Sequence, residues 1–186
     1  MTLVLASRSP QRRAILEQLG VPFVARPVDV VEDEAGEPSA VALANARRKA
    51  LAAGAAEDEI VLGVDTIVAI DGEIWGKPPD ARGAAATLRR LAGRTHTVVS
   101  GVAIAYPDGS VKPATATTAV TFRKLPPSLV DWYVATGEWD GRAGGYAIQG
   151  RGAALVERID GDYLNVVGLP VATLMELCPR LLDLST

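Results

Sequence analysis

Leu3-Val-Leu-Ala-Ser-Arg-Ser-Pro-Gln-Arg-Arg-Ala-Ile-Leu16, running on to Gly20, decides how this chain is read. Leu3 to Ala6 is a short apolar run that predicts a buried strand. Ser7 to Ser9 is a polar break. Ser9 suits an N-cap, and Pro10 suits the first helical position, where its missing N–H would have no partner anyway. Ala14, Ile15, Leu16 and Leu19 then fall at helical spacing, and Gly20 can close the helix in a left-handed cap. The stretch therefore predicts strand, tight turn, helix. Two hydroxyls (Ser7, Ser9) and three cations (Arg8, Arg12, Arg13) surround the helix start. Free N–H groups and the positive end of the helix dipole attract an anion there, usually a phosphate. Single arginines near a helix start are ordinarily just solvated, but three in one turn ask for an anion.

The rest of the composition narrows the class. With 186 residues, 48% hydrophobic and 22% charged, the chain is expected to form a single domain over 1–186, or two small lobes round a cleft, with a proper core. A net charge of -3 argues against a nucleic-acid binder, which normally carries a basic domain. One cysteine (Cys178) and one histidine (His96) leave no disulfide framework, thiolate zinc site or multi-histidine metal site. Cys178 is expected to be buried and inert, and His96 to serve a structural hydrogen bond. No run reaches membrane-spanning length and no signal peptide opens the chain, so a cytoplasmic protein with no membrane partner is expected.

Outward from the opening motif, the acidic stretch Asp29 to Pro38 reads as a linker, followed by a helix from Ser39 to about Gly54. Ile60 to Val64 is a buried-type strand ending at Asp65. Thr66 to Ile70 continues extended into an Asp71-Gly72 hairpin turn. Gly76-Lys77-Pro78-Pro79 breaks regular structure. Asp80 caps a helix to Leu91. Val98 to Ala105 and Ala114 to Phe122 pair across Pro107-Asp108-Gly109, and Pro126 to Ala135 forms a short helix. Tyr146 to Gln149 and Ala153 to Ile159 read as strands, and a last helix runs from Pro170 to about Leu182. Helices mixed with hairpins and crossovers predict an α/β fold with a mixed sheet.

Asp65 is the first candidate for chemistry, since ligands of α/β sheets gather beyond strand ends. Its bland reading is a turn cap. Lys77 returns near it after one hairpin, held between glycine and proline. Glu32 lies in an acidic loop of the kind that is usually only solvated. Its interest is as a second carboxylate for magnesium, which takes one or two carboxylates plus phosphate oxygens and water. Arg47, Arg48 and Lys49 end the second helix, where cations also suit the dipole. Gln149, in a glycine-flanked stretch, offers the donor and acceptor needed to read a base edge, although such a glutamine is more often a turn residue. Trp75, Trp132 and Trp139 read as core or dimer contacts.

In order along the chain, Leu5-Ala-Ser-Arg-Ser-Pro-Gln-Arg-Arg, Gly63-Val-Asp-Thr, Gly76-Lys-Pro, Gly93-Arg-Thr-His, Thr136-Gly-Glu, Ala143-Gly-Gly-Tyr-Ala-Ile-Gln-Gly and Asn165-Val-Val-Gly-Leu-Pro resemble the Maf proteins. These are nucleoside triphosphate pyrophosphatases also known as septum-formation proteins. The resemblance implies an elongated mixed α/β fold with flanking helices and a cleft between two lobes, similar to inosine-triphosphate pyrophosphatases. It implies hydrolysis of a nucleoside triphosphate to the monophosphate and pyrophosphate, a divalent cation (Mg2+ or Mn2+) as cofactor, and a homodimer. Asp65 would be the general base and, with Glu32, a metal ligand. Ser7, Arg12, Lys49 and Lys77 would hold the triphosphate, with Arg13 as a helper, and Thr66 and Gln149 would sit near the base. The motifs match the branch acting on dTTP and UTP, except that Gln11 stands where that branch usually has arginine. A neutral amide for a forked cation leaves strict dTTP/UTP preference open, so pyrimidine or modified nucleotides, cleaned from the nucleotide pool, are the expected substrates.

Two other readings compete. A non-catalytic, nucleotide-binding regulator of septum formation needs the cations but not Asp65 with Lys77. A purine pyrophosphatase of the inosine-triphosphate type lacks the Ser-Pro-x-Arg opening.

Overall fold

The computed structural model describes residues 1–182. Seven strands form one mixed sheet: β1 (Thr2–Leu5), β2 (Phe23–Ala25), β3 (Glu59–Ile70), β4 (Glu73–Trp75), β5 (Thr95–Ala105), β6 (Val111–Phe122) and β7 (Val156–Asp160). Their order is β2-β1-β3-β5-β6-β7, with β4 also paired to β3. Helices α1 (Pro10–Gln18), α2 (Pro38–Ala53), α3 (Ala81–Leu91), α4 (Pro127–Ala135), α5 (Tyr163–Val167) and α6 (Val171–Leu177) flank the sheet. β1 pairs parallel with β2 and β3, and every other pairing is antiparallel. The mixed α/β class expected from the sequence is the class observed.

The sheet is sandwiched because its strands are apolar on both faces, as for parallel strands covered by helices. On one face Leu3, Leu5, Leu62, Val64, Val102 and Ile104 pack with Ile15 and Leu16 of α1 and Leu174 of α6. On the other, Val4, Val61 and Ala103 pack against Ala46 and Ala50 of α2. A further cluster joins Val68, Ile70, Val98, Val120 and Phe122 to Leu88 and Leu91 of α3 and Val130 and Tyr133 of α4.

β3 carries the feature that positions the site. One of its edges pairs with β5 from Val61 to Ala69. Along the other edge, β1 leaves at Leu62 and β4 joins only at Val68. Residues 63–67 thus face a gap in the sheet, and the cleft opens there.

Several local expectations change. Asp65 lies inside a continuous 12-residue strand, and what ends beside it is the neighbouring strand β1. Tyr146 to Gln149 is not a strand. The positive φ of Gly144 (67°) and Gly145 (69°) curls the chain, and the Gly144 N–H is donated to the Gly76 carbonyl instead of to a ladder. Ala153 to Leu155 belongs to a 3-10 turn, and β7 begins only at Val156. α6 stops at Leu177 rather than Leu182, because Pro179 disfavours helical geometry at Cys178, whose φ and ψ are -132° and 77°. Cys178 is half-buried rather than buried, with its thiol raised by desolvation. β2 and α5 had no sequence expectation. Trp132 is 46% exposed, while Trp75 and Trp139 pack against the core. Among the described residues no helix is long and apolar enough to cross a membrane.

Candidate active site

A cleft of about 830 Å³ lies over the gap in the sheet. Its walls include Ser7, Gln11 and Arg12 from the β1–α1 region, Glu32 from the acidic loop, and Lys49 from α2. Asp65 and Thr66 form part of its floor, and Lys77, Arg142 and Gln149 come from the far side. Of the site residues that the family resemblance implies, only Arg13 is outside this lining. Successive helical positions differ by about 100°, so a helix that turns Arg12 inward turns Arg13 away.

Successive side chains of a strand point to opposite faces, so the floor has two sides. Asp65 faces α2. Its Oδ1 accepts from Lys49 Nζ at 2.7 Å and its Oδ2 from Asn45 Nδ2 at 3.0 Å. Lys49 Nζ also reaches Glu32 Oε1 at 2.9 Å. One ammonium thus bridges both carboxylates, and the Lys49 and Asp65 side chains are only 11% and 10% exposed. Two neighbouring acids of the loop are engaged elsewhere: Asp29 pairs with Arg8 at 2.8 Å, and Asp33 with Arg48 at 2.9 Å. Glu32 is the loop carboxylate that shares a cation with Asp65.

Thr66 faces the other way, toward Arg12. The buried guanidinium donates Nε to the Gly168 carbonyl at 2.9 Å, Nη1 to Ser7 Oγ at 2.9 Å and Nη2 to Thr66 Oγ1 at 3.2 Å. Three of its five N–H donors are used in this planar fork, which lysine could not copy. Burial lowers the guanidinium's pKa, while the charges of Asp65 and Glu32 oppose that shift. The helix start behaves as its sequence implies, with Ser9 Oγ accepting from Arg12 N at 3.4 Å. The same hydroxyl donates to Gln11 Oε1 at 3.0 Å, leaving the Gln11 amide nitrogen for the cleft.

Sequence reasoning missed several participants. Asn45 is one: it lies one helical turn from the expected Lys49 on the buried face of α2, a polar residue among Val41, Ala42, Ala46 and Ala50. That interruption was the available signal. The Gly168 carbonyl is placed by Asn165, whose Nδ2 donates to Val98 O and Thr118 Oγ1, both at 3.0 Å. Nothing local in the sequence points to that bond. Arg142 brings another cation to the cleft, and its Nε is buried with no acceptor. His96, as expected, is structural: its Nε2 lies 2.8 Å from Tyr146 Oη inside an aromatic cluster with Phe122. Lys77 is exposed at the rim, on a loop fixed by the Gly76–Gly144 hydrogen bond.

The donor set can be tested against a divalent cation. Two hard carboxylates, Glu32 and Asp65, already converge on one positive charge, and magnesium asks for no more than this from protein when phosphate oxygens and water complete its shell. The residues fit such an ion. The whole constellation offers two carboxylates and several cations in one cleft. Such a set suits attack of water on a polyphosphate.

Comparison with known proteins agrees in scope. The family described as Maf-like protein matches residues 2–181. A dTTP/UTP pyrophosphatase of Moorella thermoacetica is 50% identical over 182 residues, covering 94% of this chain and 92% of that protein. A protein of the same description from Pyrococcus furiosus is 44% identical over 179 residues, covering 94% and 93%. Among solved structures, a nucleoside-triphosphatase / dITP/XTP pyrophosphatase from Mycobacterium abscessus has a TM-score of 0.47 and 21% identity, covering 68% of this chain and 76% of that one.

Proposed function

The chain belongs to the Maf family, and from that premise we propose that it is a nucleoside triphosphate pyrophosphatase that hydrolyses dTTP and UTP to the monophosphate and pyrophosphate. The observation that carries this reading is Asp65: a carboxylate on the floor of a cleft, fixed on one side by Lys49 and Asn45, with the Arg12 guanidinium beside the same gap.

The triphosphate binds across the start of α1, where the Ser7–Arg12 corner, Lys49 and the rim residue Lys77 neutralise and orient it. Arg12 is pre-organised by three hydrogen bonds, so little order is lost when phosphate arrives. Asp65 takes a proton from the attacking water as the new P–O bond forms. The bridge between the α and β phosphates breaks, and pyrophosphate leaves with the electron pair. Lys77 and Arg142 meet charge developing on the leaving group. Glu32 and Asp65 would hold a divalent cation, which when bound neutralises phosphate charge. Gln149 and Thr66 border the end of the cleft left for the base.

The test is pyrophosphate release from a panel of nucleoside triphosphates that includes dTTP, UTP, CTP, 7-methyl-GTP and ITP, with Mg2+ or Mn2+. Release is expected with dTTP and UTP foremost. Asp65→Asn is expected to slow turnover roughly 100- to 10,000-fold, the usual worth of a general base, while nucleotide still binds. Normal turnover in that variant would remove Asp65 from the role.

A further inference from the structure

We propose that Lys49 is the resident counter-ion of the carboxylate pair. It keeps divalent cation out until a nucleoside triphosphate draws the ammonium away, so that metal and nucleotide enter together. The inference rests on the pyrophosphatase reading only in taking a triphosphate as the ligand that moves Lys49.

The geometry is specific. Lys49 Nζ sits 2.9 Å from Glu32 Oε1 and 2.7 Å from Asp65 Oδ1, between the two oxygens that a metal ion would need. Both Asp65 oxygens already have a partner, Oδ1 the ammonium and Oδ2 the Asn45 amide. The neighbouring Asp29 and Asp33 do not strengthen the pair, since they are committed to Arg8 and Arg48. Among the described residues no group of three His, Cys, Asp or Glu side chains is placed to hold a metal ion. A cation arriving alone must therefore expel the ammonium from a largely buried ion pair or sit beside it against like-charge repulsion. A triphosphate changes both terms. It brings oxygen ligands of its own, and it offers Lys49 another anion within reach of a flexible four-carbon stem. Lys49 is then a positioning residue that couples the order of binding, in addition to touching phosphate.

The experiment titrates Mn2+ into the nucleotide-free full chain at fixed ionic strength, with free Mn2+ read by electron paramagnetic resonance. Lys49→Met keeps the stem and removes the charge. It is expected to bind Mn2+ on the order of tenfold more tightly than wild type, as expected for removing one like charge from ion-pair range. Adding Glu32→Gln to it is expected to abolish the gain. Equal Mn2+ affinity in wild type and Lys49→Met would overturn the inference. A second measurement needs no variant: the Lys49 ζ-ammonium resonance of wild type is expected to persist in excess Mg2+ alone. It is expected to vanish when Mg2+ and a non-hydrolysable α,β-methylene nucleoside triphosphate are both present. Loss with Mg2+ alone would equally overturn it. Pyrophosphate release by wild type reports on the catalytic reading separately. An active enzyme with no Lys49 effect on Mn2+ sinks this inference alone, and an inactive one with a large effect sinks only the other.

Discussion

Asp65 and Gly101 are register partners on adjacent antiparallel strands, and the glycine decides what the aspartate touches. A Cβ at Gly101 would fall onto the Ala42 carbonyl of α2, and one at Gly63 onto the Ala46 carbonyl. The two missing side chains let α2 lie directly on the sheet, which brings Asn45 and Lys49 within hydrogen-bond range of Asp65.

Gly101→Ala is therefore expected to lift the middle of α2. Overpacking of this kind costs about 1–3 kcal/mol in stability. Activity should fall further than that loss explains, because Lys49 and Asn45 move off Asp65 together. Denaturant melts and pyrophosphate release on folded variant protein check this. A variant that is destabilised yet fully active would show that the close helix approach serves packing alone.

Gln11 holds Ser9 Oγ through Oε1 and lines the cleft at the helix start. Gln11→Arg restores a forked cation there. It is expected to raise kcat/KM for dTTP and UTP relative to CTP and ITP by about tenfold, the worth of a charge-assisted over a neutral hydrogen bond. The substrate panel repeated on the variant gives the answer, and an unchanged profile would remove position 11 from specificity.

His96 provides a pH prediction. Burial lowers its pKa from 6.5 to about 4, so the fold holds it neutral. Its folded pKa lies below its unfolded one, so its contribution is complete above pH 6.5. Between there and about pH 4 the unfolded chain takes up the proton first, and stability drains away. The loss should reach about 3 kcal/mol at the acid end. Urea melts across that range measure it. His96→Gln, which can still hydrogen-bond Tyr146 Oη, should flatten the slope. An equal slope in both proteins would assign the acid limb to carboxylates.

Much of the site was legible one segment at a time. The Ser9 cap, Pro10 and the inward Arg12 follow from spacing along one helix, and the burial of β1 follows from four apolar residues. Asp65 and Lys77 stood out because their types fit poorly with the local pattern. The errors came where partners decide. Tyr146 to Gln149 has a strand-like composition, yet Gly144 bonds to Gly76 and leaves no ladder to join. Arg13 looks like Arg12 in sequence and differs only in which way the helix turns it. Glu32 could not be separated from Asp29, Asp33 and Glu34 until its bond to the Lys49 ammonium was seen.

The strand–turn–helix opening, the α/β class and the residue types available for phosphate chemistry could all be read along the chain. Those depend on periodicity and capping between residues a few positions apart. The folded chain adds that β1 and β4 leave a gap along β3, that Asp65 and Thr66 look to opposite sides of it, and that one lysine bridges Glu32 and Asp65. These are meetings of groups 16 to more than 100 residues apart in the chain, as with Lys49 and Asp65 or Arg12 and the Gly168 carbonyl. The physical reason is that strand register and helix approach set such contacts, and both depend on the packing of the whole sheet.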